Sequence, residues 1–207
     1  MRVFKFLDAA GRAPFTGFTW PAPGVWVAAA NARTCQDGVH ACRSFDLSHW
    51  LAASLWEVEL AGDIVASHHK VVASRGRLVR MIDGYPQAVR VLAELGAWRA
   101  RDRAVAISRA ADGPATADRF EAAVTLDDLA AVGTDLTDDT FDGRAGLLAD
   151  DAAHFAMHGE HPQSPFVATC SAGHAAAGLA GDQGRYDEGS AAERAFQSAW
   201  LAERLSL

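Results

Sequence analysis

The hydrophobic period of this chain changes once, near residue 84, and that change constrains the fold more than any other feature. In Trp56-Glu-Val-Glu-Leu60 the apolar side chains alternate with glutamates, which is typical of a strand in a sheet covered on one side. From Pro86 onward the period is about 3.6 residues, and Ala, Leu, Glu and Arg dominate, which is typical of helices. The sequence therefore predicts an α+β fold, with a small twisted N-terminal sheet and an all-helical C-terminal half.

The individual elements follow from these periods and from the turn residues between them. Strands are predicted at residues 2–6, 24–28, 38–42, 55–60 and 70–74, the last running on towards 78–82. One short helix, with Ser44 as its N-cap, is predicted over 44–53. Longer helices are predicted near 86–110, 117–132, 143–158, 165–180 and 190–205. We divide the chain into a sheet module, 1–84, and a helical module, 85–207, with a single packed domain as the alternative.

Size and charge exclude several classes of protein. The chain has 207 residues, half of them apolar, which is enough for a packed core. Its formal charge of -7 disfavours binding to nucleic acid or to anionic membranes. No apolar segment has the length of a membrane span or of a signal-peptide core. We therefore expect a soluble cytoplasmic protein that binds neither nucleic acid nor membranes, and whose three cysteines are reduced.

A first cluster of metal-ligating residue types lies in the sheet half. His40 and Cys42 are two residues apart on a predicted strand, so their side chains share a face, and Cys35 lies just before the predicted turn. Together with His49 on the following helix they make a possible zinc site, although their spacing matches no standard zinc signature. The alternative is that both cysteines pack in the core and that His40 is hydrogen-bonded.

A second cluster lies in the helical half. His154 and His158 are four residues apart on one predicted helix, and Cys170 and His174 are four apart on the next, so each pair shares a helix face. If the two helices form a hairpin, Asp150 comes opposite His174, and His154 comes opposite Cys170. Bundles build metal sites from facing helices in this way. We therefore predict His154, His158, Cys170 and His174 as zinc ligands, with the cluster of the sheet half as the alternative set.

The same hairpin also suits proton-transfer chemistry. A carboxylate beside an imidazole fixes its tautomer and raises its basicity, and a nearby histidine can convert a cysteine to its thiolate. We therefore predict Asp150, His154, Cys170 and His174 as a catalytic set. The alternative is that the histidines lie on solvated helix faces and that Cys170 is simply buried.

Several motifs of the sheet half resemble the N-terminal module of an uncharacterised phage and bacterial family. Members of that family have a Cys, then Gly-aromatic-His-Ala-Cys, then Glu-Val-Glu and a Lys-Val-Ala-Ser strand. The matching segments are Cys35, Gly38-Val-His-Ala-Cys42, Trp56-Glu-Val-Glu59, Gly62-Asp-Ile64 and Lys70-Val-Val-Ala-Ser74. Val39 replaces the usual aromatic residue. The resemblance covers about residues 30–75 and implies a shared fold module without an activity.

A fainter resemblance is to ADP-ribosyltransferases of the poly-ADP-ribose polymerase type. Its segments are Gly38-Val-His-Ala-Cys42, Ser48-His-Trp50 and Glu57-Val-Glu-Leu60 with Gly62. This resemblance implies a protein that uses NAD. However, the histidine motif that holds the nicotinamide ribose in that family is absent here, and no late-strand glutamate takes the expected place.

Three functions follow from these patterns. The first is a small cytoplasmic enzyme that uses His and Cys side chains for acid–base or nucleophilic chemistry on a small molecule, with its site between the sheet and the helices. Trp20, Trp26, Trp50 and Trp56 of the sheet half could line an apolar pocket for that molecule. The second is a non-catalytic binding or interaction protein held together by zinc, and the third is the NAD-using protein. The patterns name no reaction class and no cofactor-binding residue.

Overall fold

The structure of the protein is a computed structural model that describes residues 2–34, 36–111, 113–134, 141–158, 164–181 and 184–207. It describes side chains throughout these segments except at 133–134 and 141–146. The chain forms two compact units, one of residues 1–88 with 198–207 and one of residues 89–197. The predicted α+β class is confirmed, because strands occupy the N-terminal half and helices the C-terminal half. Within the described segments, no helix combines the length and the apolar composition needed to span a membrane.

The first unit contains an antiparallel sheet. Its strands are β1 (Val3–Leu7), β2 (Val27–Ala28), β3 (Val39–Ala41), β4 (Ser54–Ser67) and β5 (Lys70–Met81). The order is β1-β4-β5-β2, and β3 also pairs with β5. Phe4 and Cys42 exchange both backbone hydrogen bonds at 2.8 Å. Because this bridge joins β1 to the end of β3, the pairings β1–β4–β5–β3 close on themselves.

The β4–β5 hairpin is longer than the sequence predicts. The two segments predicted at 70–74 and 78–82 are one strand, and β4 continues past Gly62 to Ser67. Gly62 has a φ of +77° at a shift in register, and the Asp63 amide donates to Ser74 Oγ at 3.0 Å. A glycine in this conformation permits a β-bulge. The glycine therefore marks a bulge within the strand instead of its end.

Alternating apolar side chains of the strands form the interior of the sheet unit. Val3 and Leu7 of β1 are each 1% exposed and belong to one apolar cluster, which also contains Trp20, Val39, Ala41, Val58, Val71 and Leu78. Lys5 lies between Val3 and Leu7 in the alternation. Its side chain therefore leaves the strand on the face that the apolar cluster covers.

The short helix of this unit is a 3-10 helix, Ser44–His49, shorter than the predicted helix over 44–53. The residue before it, Arg43, is the N-cap, and it makes no side-chain cap hydrogen bond. The prediction of Ser44 as the cap is therefore wrong. The helix ends before Leu51, and β4 begins at Ser54.

The described residues after the sheet form six α-helices: α1 (Tyr85–Ala110), α2 (Pro114–Ala122), α3 (Leu126–Thr134), α4 (Phe141–Met157), α5 (Ser164–Gly181) and α6 (Tyr186–Arg204). The helix predicted over 117–132 is two helices, α2 and α3. Ala123 is extended, and Thr125 and Asp128 form reciprocal hydrogen bonds between side chain and backbone. This capping box begins a new helix, which explains the break.

Alanine stripes form the core of the second unit. Ala149, Ala152 and Ala153 of α4 are fully buried in one cluster with Ala172 and Ala175 of α5. These positions recur at three- and four-residue spacing, so each set covers one side of its helix. Small side chains let neighbouring backbones approach closely.

Glycines differ sharply in the space around them. A Cβ added at Gly189 of α6 would meet the carbonyl oxygen of Ala176 and the Cβ of Ala180 at 2.6 Å. A Cβ added at Gly173 of α5 would have no neighbour nearer than 3.6 Å. Gly189 is therefore required by packing, whereas Gly173 is not.

A buried carboxylate holds two arginines in the same unit. Glu193 of α6 has a fully buried side chain, and it accepts hydrogen bonds from Arg99 of α1 at 2.7–3.0 Å and from Arg103 at 2.7 Å. Gln197 donates to it at 3.1 Å. The Arg99 guanidinium lies 3.6 Å from the centre of the Phe196 ring. These contacts make one polar network inside an otherwise apolar unit.

Candidate functional site

The histidines of α4 do not enter the interior of the second unit. His154 and His158 are both exposed, with ring centres 4.5 Å apart. The alanine stripe of α4 is the buried side, because four or more small apolar residues at helical spacing gain more from burial than two imidazoles do. The structure therefore brings these two histidines together on the surface.

The predicted partners on α5 have other neighbours. Cys170 is half-buried, and its Sγ accepts a hydrogen bond from Arg194 Nη2 at 2.6 Å. His174 is exposed. Asp150 is half-buried, and burial, together with the charge of Asp151, raises the pKa of its carboxyl group. Among the described residues, no contact between Cys170 and a histidine supports the predicted catalytic set. The catalytic role of these residues therefore stays a prediction.

The cluster in the sheet half is divided in a similar way. Cys35 lies outside the described residues, and Cys42 is buried, which raises the pKa of its thiol well above the ordinary range. Cys42 is therefore a protonated thiol at neutral pH. His49 stacks on His69, with 3.8 Å between ring centres. Nowhere in the part of the chain that the structure describes are three His, Cys, Asp or Glu side chains placed to hold a metal ion, so neither predicted zinc set is assembled there.

One polar cluster of the first unit has no signal in the sequence. Asp46 is buried and pairs with Arg43 at 2.5 Å, and its other oxygen lies 3.3 Å from His69 Nδ1. Arg43 also donates to the carbonyl oxygens of Ser67 and His68. The cluster ties the 3-10 helix to the β4–β5 turn, which is a structural role.

A cavity with a volume of about 710 Å³ lies in the first unit. Aromatic side chains form much of its wall: Phe4, Phe6, Phe15, Phe18, Trp20 and Trp50. Phe15 packs edge-on against Trp50 with 5.8 Å between ring centres, and Phe18 packs in the same way on Trp20 at 6.1 Å. Such a wall suits a small apolar or aromatic molecule.

Three basic side chains, Lys5, Lys70 and His40, line the same cavity. The Lys5 ammonium lies 5.9 Å from the centre of the Trp20 ring, and Lys70 lies 5.6 Å from that of Trp50. Burial lowers the pKa of Lys5 from 10.5 to about 8, because the charged form loses hydration. The cavity thus contains a lysine that is partly neutral near physiological pH.

His40 is a neutral imidazole in this cavity. Its Nδ1–H donates to the Gly38 carbonyl oxygen at 3.0 Å, which leaves the lone pair on Nε2. Burial lowers the pKa of His40, and the positive charge of Lys5 lowers it further. At neutral pH the ring is therefore a base without charge.

Asp37 is the one acidic residue among the described residues that line the cavity. Its Oδ2 already accepts hydrogen bonds from the backbone and the side-chain amide of Asn31, at 2.9 and 3.1 Å. The cavity therefore has more positive than negative charge, in a chain with a net charge of -7. An anionic group on a bound molecule would be attracted to it.

Sequence reasoning identified His40, Trp20 and Trp50 as candidates but missed both lysines. A signal existed, because Lys5 occupies a position in β1 whose neighbours on the same face are Val3 and Leu7. A charged residue in a buried alternation is uncommon and indicates a special role. Lys70 gave no such signal, since it follows a polar turn.

Comparisons with family models, with curated proteins and with solved structures find no match to this chain. The two resemblances of the sheet half therefore stay predictions.

Proposed function

We propose that this protein is a small-molecule enzyme that binds a mostly apolar molecule with an anionic group in the cavity of the first unit. The observation that carries the proposal is the placement of Lys5, Lys70 and His40 in a cavity of about 710 Å³ whose lining includes six Phe and Trp side chains. That volume lies within the range of ligand sites, about 300–1,000 Å³. Aromatic walls and a few basic groups together select a molecule with an apolar body and one acidic end.

Charge favours an anion over a neutral ligand. Burial removes hydration from the Lys5 ammonium, which is costly, and a bound anion offsets that cost. Asp37 supplies one negative charge against the two lysines of the cavity lining, and its Oδ2 accepts two hydrogen bonds from Asn31. A bound anion and the charged ammonium group of Lys5 therefore stabilise each other.

Acid–base chemistry belongs to His40 in this proposal. A neutral imidazole can take a proton from a bound substrate at neutral pH. The Cys42 thiol is a poor nucleophile here because burial raises its pKa. The acid–base chemistry that the sequence predicts for histidines of the helical half is thus proposed for His40 of the sheet cavity.

Ligand binding tests the first half of the proposal. Benzoate and benzyl alcohol share an apolar body and differ in charge, and their binding can be measured by calorimetry. We expect benzoate to bind at least about tenfold more tightly, the value of one charge-assisted hydrogen bond. Lys5→Met should remove that preference, whereas Arg204→Met, which removes an exposed charge of the same unit, should keep it. Equal affinities, or no binding of either compound, would contradict the proposal.

A base-catalysed probe reaction tests the second half. 5-Nitrobenzisoxazole opens when a base removes its ring proton, and the coloured phenolate that forms reports the rate. We expect the protein to accelerate this reaction, with a rate that falls on acidification as His40 becomes protonated. His40→Gln should abolish the acceleration and His174→Gln, an exposed histidine, should not. An unchanged rate in His40→Gln would remove His40 from the proposal.

A further inference from the structure

The lysines of this chain are confined to the cavity. The sequence has 19 Lys and Arg residues, and only Lys5 and Lys70 are lysines. Both line the cavity of the first unit. Arginine serves wherever else a positive charge is needed, for example in the pairs with Glu57, Glu59 and Glu193. Arginine cannot lose its proton in a protein, whereas lysine can, so these two positions allow chemistry that the other basic residues do not.

Lys5 has surroundings that favour a neutral amine. It leaves β1 between Val3 and Leu7, on the face that the apolar cluster covers. Among the described residues, the charge that acts to raise its pKa is that of the Cys42 thiolate, with no Asp or Glu contributing. Since Cys42 is protonated at neutral pH, that charge is missing. Burial therefore acts on Lys5 almost unopposed.

The population of free amine follows from the pKa of about 8. At pH 7 roughly a tenth of Lys5 is neutral, against about 0.03% of an ordinary lysine, a difference of roughly 300-fold. A neutral amine in an apolar pocket is the form that attacks carbonyl carbon. The second basic group, His40, lines the same cavity, and the charge of Lys5 lowers its pKa.

We infer that Lys5 is the nucleophile of this cavity and forms an imine with an aldehyde or ketone bound between the aromatic walls. This inference rests on the proposed function of the cavity and names the reactive group of its ligand.

The step balances without an oxidant or a reductant. The Lys5 nitrogen forms a bond to the carbonyl carbon, and the π electrons of the C=O bond move to oxygen. His40 takes the proton that the nitrogen releases and returns it to that oxygen, giving a carbinolamine. The nitrogen lone pair then forms the C=N bond as the C–O bond breaks. The remaining proton of the nitrogen passes through His40 to the departing hydroxyl group, so that one water is released for each imine.

Reductive trapping tests the inference on the full chain. The protein is incubated at neutral pH with benzaldehyde and sodium cyanoborohydride, which converts an imine to a stable benzylamine. Peptide mass spectrometry then assigns the benzyl group to Lys5, to Lys70 or to the amino terminus. N-acetyl-lysine amide in the same tube provides an amine of ordinary pKa, so that reagent effects cancel in the ratio.

We expect Lys5 to be labelled at least about tenfold faster than Lys70 and than the free amine. The ratio to the free amine should fall above pH 8, because Lys5 is then already neutral. Benzoate should slow the labelling by occupying the cavity. Lys5→Arg should lose the fast product and Lys70→Arg should retain it; because the wild-type ratio is itself decisive, the test does not depend on the folding of either variant.

Two other outcomes are distinguishable. Equal labelling of Lys5 and of the free amine, with benzoate still bound, would overturn the inference and leave the proposed function intact. Equal labelling together with absent benzoate binding would overturn both.

Discussion

Glu193→Gln should destabilise the second unit by about 3 kcal/mol. The substitution keeps the shape of the side chain and removes its charge. The amide nitrogen that replaces one oxygen cannot accept a hydrogen bond from Arg99 or Arg103, both of which donate to the carboxylate in the wild type. Two guanidinium groups are then left without their counter-charge.

The size of the effect follows from how far these groups are buried. Removing one member of a fully buried ion pair costs about 3–5 kcal/mol. The side chains of Arg99 and Arg103 keep 24% and 19% of their surface exposed, so water partly compensates them. We therefore expect a loss of about 2–4 kcal/mol in the free energy of unfolding.

Urea unfolding followed by far-UV circular dichroism measures this loss, because helices dominate the signal of the second unit. Glu188→Gln is the matched control on the same helix, where the carboxylate is 70% exposed and lies 3.6 Å from Arg185. Its effect should stay within about 0.5 kcal/mol.

A triple variant distinguishes the loss of the ion-pair attraction from the cost of leaving buried arginine charges without a counter-charge. Replacing Arg99, Arg103 and Glu193 together by Met removes every charge of the network and should cost less than Glu193→Gln alone, since apolar side chains of similar volume often replace buried ion pairs without loss. A Glu193→Gln protein as stable as wild type, or a triple variant much less stable than it, would refute the reasoning.

Three further predictions concern other parts of the molecule. Because folding lowers the pKa of Lys5 from 10.5 to about 8, the unfolded chain binds more protons between these pH values, and wild-type stability should rise across that window. The Lys5→Met variant should not show this rise, and its free energy of unfolding at pH 7 should exceed that of the wild type by up to about 3 kcal/mol, as measured by urea unfolding. If the stability of the two proteins changes with pH in the same way, the Lys5 charge is not buried. Gly189→Ala should lower stability by about 1–3 kcal/mol through overpacking, while Gly173→Ala should raise it by up to about 1 kcal/mol, and thermal unfolding in which both change in the same direction would disprove the packing argument. Cys42 should resist iodoacetamide until the protein is unfolded, since its thiol is buried with a raised pKa, whereas Cys170 should react in the native state; equal alkylation of both cysteines, measured by mass spectrometry, would contradict the buried assignment.

The class of fold and the places of most elements could be predicted from the sequence because they depend on local periodicity. The break between α2 and α3 was missed because the reciprocal bonds of Thr125 and Asp128 occur inside an otherwise continuous helical pattern. The length of β4 was missed because a bulge at Gly62 looks like a turn in the sequence. Local patterns alone do not distinguish a bulge from a chain reversal.

The candidate site was harder to predict, because its residues are distant in the sequence. Lys5, His40 and Lys70 line one cavity only because β1 bridges to the end of β3 and β3 pairs with β5. The histidines of α4 were predicted as site residues because their four-residue spacing can be read directly from the sequence. The buried side of α4 is its alanine stripe and not the side that carries the histidines, because burial of apolar surface determines which side of a helix faces the core.

The composition of the first unit affects the order in which the protein can fold during synthesis. That unit needs residues 198–207 as well as 1–88, and the Ser198 hydroxyl makes buried hydrogen bonds to the amide and hydroxyl of Ser48. A ribosome makes residue 198 about 110 residues after residue 88, a delay of roughly 5–20 s. During that time the strands of the first unit lack residues 198–207. We expect chaperones that shield apolar surface to bind this part of the chain until α6 has been synthesised.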